Sequence, residues 1–221
     1  MNINDLATEL PQNIIAKLKE EGITILRPAQ EKAITAGALS GKNLLVCTPT
    51  ASGKTLIAEI AAIKTILNNH KALYIVPFVA LATEKSKEFK RKWNNTFKIA
   101  ISIGDFDSTD SHLSDYDLII CTAEKLDSLL RHQAHWINKV SCVIVDEIHL
   151  LNDVERGPTL EILITLLRQL LPSIQIIGLS ATIGNTKELA NWLNAELVED
   201  TWRPIPLHQG VYCNGVIMFK E

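Results

Sequence analysis

The sequence predicts an α/β fold: a doubly wound, mainly parallel sheet with helices on both faces. Three observations lead there. Short apolar runs rich in β-branched residues alternate with segments of helical periodicity. The run Thr48-Pro-Thr-Ala-Ser-Gly-Lys-Thr55 joins one such strand to a helix through a tight loop. The run Val143-Ile-Val-Asp-Glu-Ile-His149 ends another strand in two adjacent carboxylates, and in a parallel sheet the C-terminal strand ends face the ligand crevice.

Taken in order, helical stretches at Gln12–Glu20 and around Gln30–Ala38 precede the first strand, Asn43–Cys47. Leu56–Leu67 follows the loop and carries apolar residues three and four apart, as a helix with a buried stripe does. Further strands are expected at Ala72–Val76, Ile99–Ile103, Asp117–Cys121, Cys142–Val145 and Ile174–Leu179. The helices between and after them are expected at Ala80–Trp93, Ala123–Leu130, Thr159–Leu171 and Thr186–Leu193. Beyond Trp202 the chain changes character. Two prolines in Arg203-Pro-Ile-Pro-Leu-His-Gln-Gly210 precede short strand-like pieces around Gly215, read as an extra edge strand or the start of a connection. The expected division is one domain over residues 1–202 and an extension over 203–221.

A chain of 221 residues suits one large domain or two small ones. With 47% hydrophobic and 21% charged residues it can build a substantial core, which argues against disorder. A net charge of −3 leaves no global sign of a nucleic-acid partner, so any such site has to be local. The local basic run is Lys85, Lys87, Lys90, Arg91 and Lys92; for Lys87 and Arg91 the plainer reading, a solvated helix face, is preferred. Four cysteines without zinc or redox spacing read as reduced thiols, three of them in or beside apolar strands. No signal peptide or bilayer-spanning run is visible, so a cytoplasmic protein without a membrane partner is expected. His132-x-x-His135 has no third ligand at sensible spacing, and a metal there is rejected.

A strand, a Gly-Lys-Thr loop and a helix form a phosphate cradle, because loop and helix N-terminal N–H groups converge on an anion. Gly53 allows close approach, Lys54 reaches terminal phosphates and Thr55 holds a metal ion, so ATP with Mg²⁺ is the expected ligand. Thr48 stands where the strict phosphate-loop pattern has its first glycine. Thr50, Ala51 and Ser52 complete the loop. Asp146 is the candidate to hold Mg²⁺, largely through water, and Glu147 to orient or deprotonate the attacking water. Ser180-Ala-Thr182 ends a third strand; its hydroxyls are expected to hydrogen-bond the Asp-Glu-Ile-His turn, with His149 coupling the two, although a helix N-cap is the plainer reading.

Gly-Lys-Thr, Asp-Glu-Ile-His and Ser-Ala-Thr in this order resemble the first RecA-like P-loop NTPase domain of superfamily 2 helicases. Leu26-Arg-Pro-Ala-Gln30 is similar to the family's Q motif, whose glutamine reads adenine. Pro77-Phe-Val-Ala-Leu-Ala-Thr-Glu-Lys85 is similar to motif Ia, Gly104-Asp-Phe-Asp107 to the segment after it, and Thr122-Ala-Glu-Lys-Leu-Asp-Ser-Leu-Leu-Arg131 to motif Ib. Arg156-Gly-Pro-Thr-Leu-Glu161 resembles the Ski2-like group, and within it the archaeal Hel-type DNA helicases. The resemblance implies ATP-driven, 3′-to-5′ movement on single-stranded or forked DNA, in repair and recombination at stalled forks. It implies a monomer whose second RecA-like domain lies outside these residues and supplies arginine fingers. It puts a DNA strand along Pro77, Ala80, Leu81, Lys85, Thr122, Ala123, Glu124 and Lys125. Arg27 stands where the group often has an aromatic and Ala29 where it often has proline, so adenine selectivity falls to Gln30 and apolar contacts.

Three other readings compete. An RNA helicase of the same group differs in how it treats the 2′-OH. A nucleotide-gated binding module without turnover has no need of Glu147. A small-molecule kinase using the same loop leaves Ser-Ala-Thr and the Ia and Ib segments unexplained.

Overall fold

The computed structural model describes residues 1–104, 110–208 and 210–219. Seven strands form one parallel sheet: β1 (Leu44–Cys47), β2 (Lys71–Val76), β3 (Ile99–Ser102), β4 (Leu118–Thr122), β5 (Val140–Val145), β6 (Gln175–Ser180) and β7 (Glu196–Glu199). Their order is β3-β4-β2-β5-β6-β1-β7. The described part of Gly104–Asp107 is Gly104 alone.

Among the described residues, α1 (Gln12–Glu20) and α2 (Pro28–Ala36) precede β1, and α3 (Lys54–Leu67), α4 (Val79–Trp93), α5 (Ala123–Arg131), α6 (Gly157–Leu170) and α7 (Thr186–Leu193) lie between the strands. Strand alternation sends Leu44, Val46, Tyr74 and Ile144 to one core, with α1 to α4. Leu45, Leu73, Val143 and Val145 go to the other, with α5 to α7. Both sheet faces are therefore dry, which is why β1, β2, β4 and β6 are buried along their whole length.

The tail corrects one expectation. The additional edge strand is β7, which pairs in parallel with β1 (Val46 opposite Val198). Residues beyond Trp202 instead make a separate antiparallel hairpin, β8 (Gly210–Cys213) with β9 (Val216–Phe219). Asn214 and Gly215 turn it, both at positive φ (49° and 83°), the backbone that Asn-Gly supplies in tight hairpins.

The strand order explains the site. β6 lies between β1 and β5, and β2 separates β5 from β4. The five C-terminal strand ends thus run in a row: residues after β4, β2, β5, β6 and β1. Neighbouring strands are about 4.8 Å apart, so the Gly-Lys-Thr loop and the paired carboxylates stand roughly 10 Å from each other, with Ser180 between them.

Candidate functional site

The loop after β1 is held from both sides. Thr48 is fully buried and its Oγ1 lies 2.7 Å from Ser52 Oγ. This side-chain pairing occupies the position where a first glycine would leave space. Ala51 (φ 66°) and Gly53 (φ 93°) are left-handed. The left-handed backbone favours glycine at 53, and a Cβ there would push the Gln30 amide aside. Gln30 is buried; its Oε1 accepts the Arg27 N–H at 2.9 Å and its Nε2 donates to the Gly53 carbonyl at 3.0 Å. Arg27 Nη1 donates to the Ala51 carbonyl at 2.7 Å. Arg27 and Gln30, at the start of α2, thereby hold the loop. A cavity of about 410 Å³ opens beside Arg27, Gln30, Gly53, Thr55 and Leu56, a size suited to a small ligand. Another cleft of about 520 Å³, at Lys42–Asn43 and Asn194–Glu196, lies at the opposite strand ends, away from these groups.

Lys54 begins α3, and its Nζ donates to the carbonyls of Ser180 (2.9 Å) and Thr48 (3.2 Å). Burial lowers its pKa, opposed by the negative charges of Glu147 and Asp146. Its bond to Ser180, on the strand between β1 and β5, sets the lysine beside the strand end that carries both carboxylates. Tyr74, from β2, donates its hydroxyl to Asp146 Oδ2 at 3.0 Å. Burial, and then the Asp146 charge, hold the Tyr74 phenol well above its ordinary value, so it is a fixed donor. Asp146 Oδ1 accepts the Glu147 N–H at 3.0 Å. Glu147 itself is left-handed (φ 49°) and starts the 3₁₀ turn Ile148–Asn152.

The candidate metal donors suit Mg²⁺. The Thr55 hydroxyl and the Asp146 carboxylate are hard oxygens, and Mg²⁺ is commonly held by one or two such groups with phosphate and water. Among the described residues no cluster of three or more His, Cys, Asp or Glu suits a metal.

The coupling residues depart from expectation. The Ser180 hydroxyl is buried and does not bond the Asp-Glu-Ile-His turn; it is the Ser180 carbonyl that contributes, by holding Lys54. Thr182 is exposed. His149 Nδ1 lies 3.3 Å from Glu147 Oε2, close enough for an ion pair when the ring is protonated but not aligned as a hydrogen bond. The expected bonds from the Ser-Ala-Thr hydroxyls to this turn are therefore not made.

Two candidate strand contacts are also redirected. Lys125 is 1% exposed and pairs with Asp110 at 3.0 Å, so its ammonium is sequestered from a phosphate. Lys85 turns toward the nucleotide side: its Nζ is 3.2 Å from Thr55 Oγ1 and 3.3 Å from Glu88. Pro77, Leu81 and Ala123 are half-buried, Ala80 and Glu124 exposed, and the buried Thr122 caps α5 by accepting the Lys125 N–H at 3.4 Å.

Three contacts escaped the sequence reading. The Tyr74–Asp146 bond is one. Arg156 donates to the Pro77 carbonyl and lies 4.3 Å over the exposed Phe78 ring, fastening the loop after β2 to the start of α6. Trp202 packs 5.5 Å from the Arg27 guanidinium. Each contact joins segments far apart in the chain, and periodicity carries no signal for it.

A phosphate loop, a strand-end carboxylate pair and a parallel sheet define a P-loop nucleotide-binding domain of RecA-like α/β fold. A family model described as DEAD/DEAH box helicase matches residues 27–189. The chain belongs to the DEAD/DEAH box helicase family. Among its relatives, the ATP-dependent DNA helicase Hel308 of Pyrobaculum calidifontis is 50% identical over 216 residues, spanning 97% of this chain and 30% of the relative. Hel308 of Methanocaldococcus jannaschii is 56% identical over 214 residues, spanning 93% and 18%. The crystal structure of the DUF1998 helicase MrfA bound to DNA superposes with a TM-score of 0.74 at 25% identity, covering 87% of this chain and 30% of that one. The chain thus spans 18–30% of the length of these Hel308 relatives. Among the described residues, no helix is long and apolar enough to cross a membrane.

Proposed function

We propose that this chain is the ATP-binding motor domain of an ATP-dependent DNA helicase, working in the cytoplasm with Mg²⁺. The observation that carries the reading is that Lys54, bonded to the Thr48 and Ser180 carbonyls, stands beside the strand end bearing Asp146 and Glu147, next to a left-handed Gly53. Loop N–H groups and Lys54 would bind the phosphates, and Thr55 and Asp146 would hold the ion. The ion would neutralise phosphate charge. Glu147, on a turn fixed by Asp146, would orient the attacking water. Gln30 and the cavity beside it would take the base.

DNA is favoured over RNA by relatives at 50–56% identity that are named DNA helicases. The strand would lie across the ends of β2 and β4, at Pro77, Ala80, Leu81 and Thr122–Glu124. Movement 3′ to 5′, action at stalled forks, a monomeric state and a second RecA-like partner domain are proposed from the family resemblance. The test is ATP hydrolysis by a longer chain that includes the second domain. Glu147→Gln should lower DNA-stimulated turnover by about 10²–10⁴ while ATP affinity holds. Unchanged turnover, or RNA stimulating as well as DNA, would overturn the assignment.

A further inference from the structure

Lys85 lies in the strand-contact segment of the sequence, yet its ammonium is on the nucleotide side of the sheet. The side chain is 16% exposed and its Nζ sits 3.2 Å from the Thr55 hydroxyl. That hydroxyl is the residue's metal donor in the proposed site. Lys85 also pairs with Glu88 at 3.3 Å, one turn along α4. Glu88 contacts Lys92 at 3.7 Å, and Lys92 pairs at 3.2 Å with Glu59, a nearly buried carboxylate on α3 that also accepts the Trp93 indole N–H at 2.6 Å. Alternating charges therefore run from the phosphate-loop hydroxyl along α4, the helix that begins with the candidate strand contacts.

We propose that the Lys85 ammonium and the site's divalent cation compete for Thr55, so that Lys85 is a positioning residue whose place reports whether the bound nucleotide carries Mg²⁺. The inference rests on the nucleotide site proposed above. Mg²⁺ sits about 2.1 Å from a ligand oxygen, which would bring it within roughly 5 Å of an ammonium held on the same oxygen. At that separation like charges repel strongly even with solvent screening. The cation displaces Lys85, and Glu88 receives it without movement of the helix backbone. Without the cation, Lys85 stays and supplies positive charge beside the phosphates. Linkage makes the effect reciprocal: what Mg²⁺ does to Lys85, Lys85 does to Mg²⁺.

The test is calorimetric titration of the 221-residue chain with ADP, in excess Mg²⁺ and in EDTA, for wild type and Lys85→Met. Lys85→Gln is the second variant should Lys85→Met not fold, as judged by thermal melting. The expected result is about tenfold weaker ADP binding in EDTA, the loss of one charge-assisted contact, with affinity in Mg²⁺ unchanged or improved. The Mg²⁺ enhancement ratio rises accordingly. A ratio equal to wild type overturns the proposal, whether both affinities stay the same or fall together as a merely structural lysine would make them. Failure of the wild type to bind ADP in either condition would instead remove the nucleotide site itself, and this inference with it.

Discussion

At the residue scale, burial sets the chemistry and partners decide its direction. Burial raises the Cys121 and Cys142 thiols to about 12; both are inert core groups with no thiolate at neutral pH. Glu59 shows the same force acting on an acid. Burial pushes its carboxyl above its ordinary value of 4.5, against the pull of Lys92 and the Trp93 hydrogen bond. A raised folded-state value means that the folded protein holds this proton more tightly than the unfolded chain. Its contribution to stability is full below about 4.5 and is lost as pH rises through the folded value. The stability of wild type minus that of Glu59→Gln should therefore decline with rising pH over that interval and then level off. Urea unfolding at a series of pH values measures it, and a flat or rising difference contradicts the burial argument.

At the element scale, close approaches fix how loops meet helices. Gly157 opens α6 where a Cβ would run into the Leu151 carbonyl, a backbone atom that cannot swing aside. Gly157→Ala should destabilise by about 1–3 kcal/mol, read as a lower urea midpoint at unchanged slope; no shift would show that the turn relaxes freely. The Arg-Gly-Pro run around it thus has a structural meaning: Arg156 fastens the loop after β2, Gly157 permits contact, and Pro158 suits a first helical turn. Much of this was legible. Strands β1, β2 and β4 to β6 are continuous apolar runs, and helices such as α3 keep a strong period, so their existence and order followed from pattern alone. Strand β7 was missed because Glu-Leu-Val-Glu is short and polar at both ends, an edge strand that only pairing with β1 defines. The hairpin was half-read: Asn214-Gly215 was its signal, and the strands on either side are each four residues long. In the site, contiguous groups such as Thr48–Thr55 and Asp146–Glu147 could be named from sequence. Where Lys85 and Lys125 point could not, because each is decided by a partner elsewhere, Thr55 and Asp110.

At the scale of the whole molecule, the sheet separates two tasks along one row of strand ends. The end of β1 carries the Gly-Lys-Thr loop, the end of β6 holds Lys54 through the Ser180 carbonyl, β5 carries the carboxylates, and the proposed strand site is at the ends of β2 and β4. The chain by itself should hydrolyse ATP very slowly and gain little from single-stranded DNA, since arginine fingers from a partner domain contribute roughly 10³–10⁵ in rate. Rapid DNA-stimulated phosphate release from these 221 residues would refute this. It should also bind single-stranded DNA weakly and with a shallow salt slope, because the slope scales with the phosphates contacted and neither Lys85 nor Lys125 presents its charge to that surface. Anisotropy titration at two salt concentrations would expose tight or steeply salt-dependent binding as a contradiction. The central claim, a working nucleotide cradle at the end of β1, is tested most directly by titrating Mg²⁺ and ADP into wild type and Lys54→Ala. Loss of a charge-assisted phosphate contact is expected to weaken binding by about 10- to 100-fold with the fold intact by circular dichroism; equal affinities in the two proteins would contradict the account.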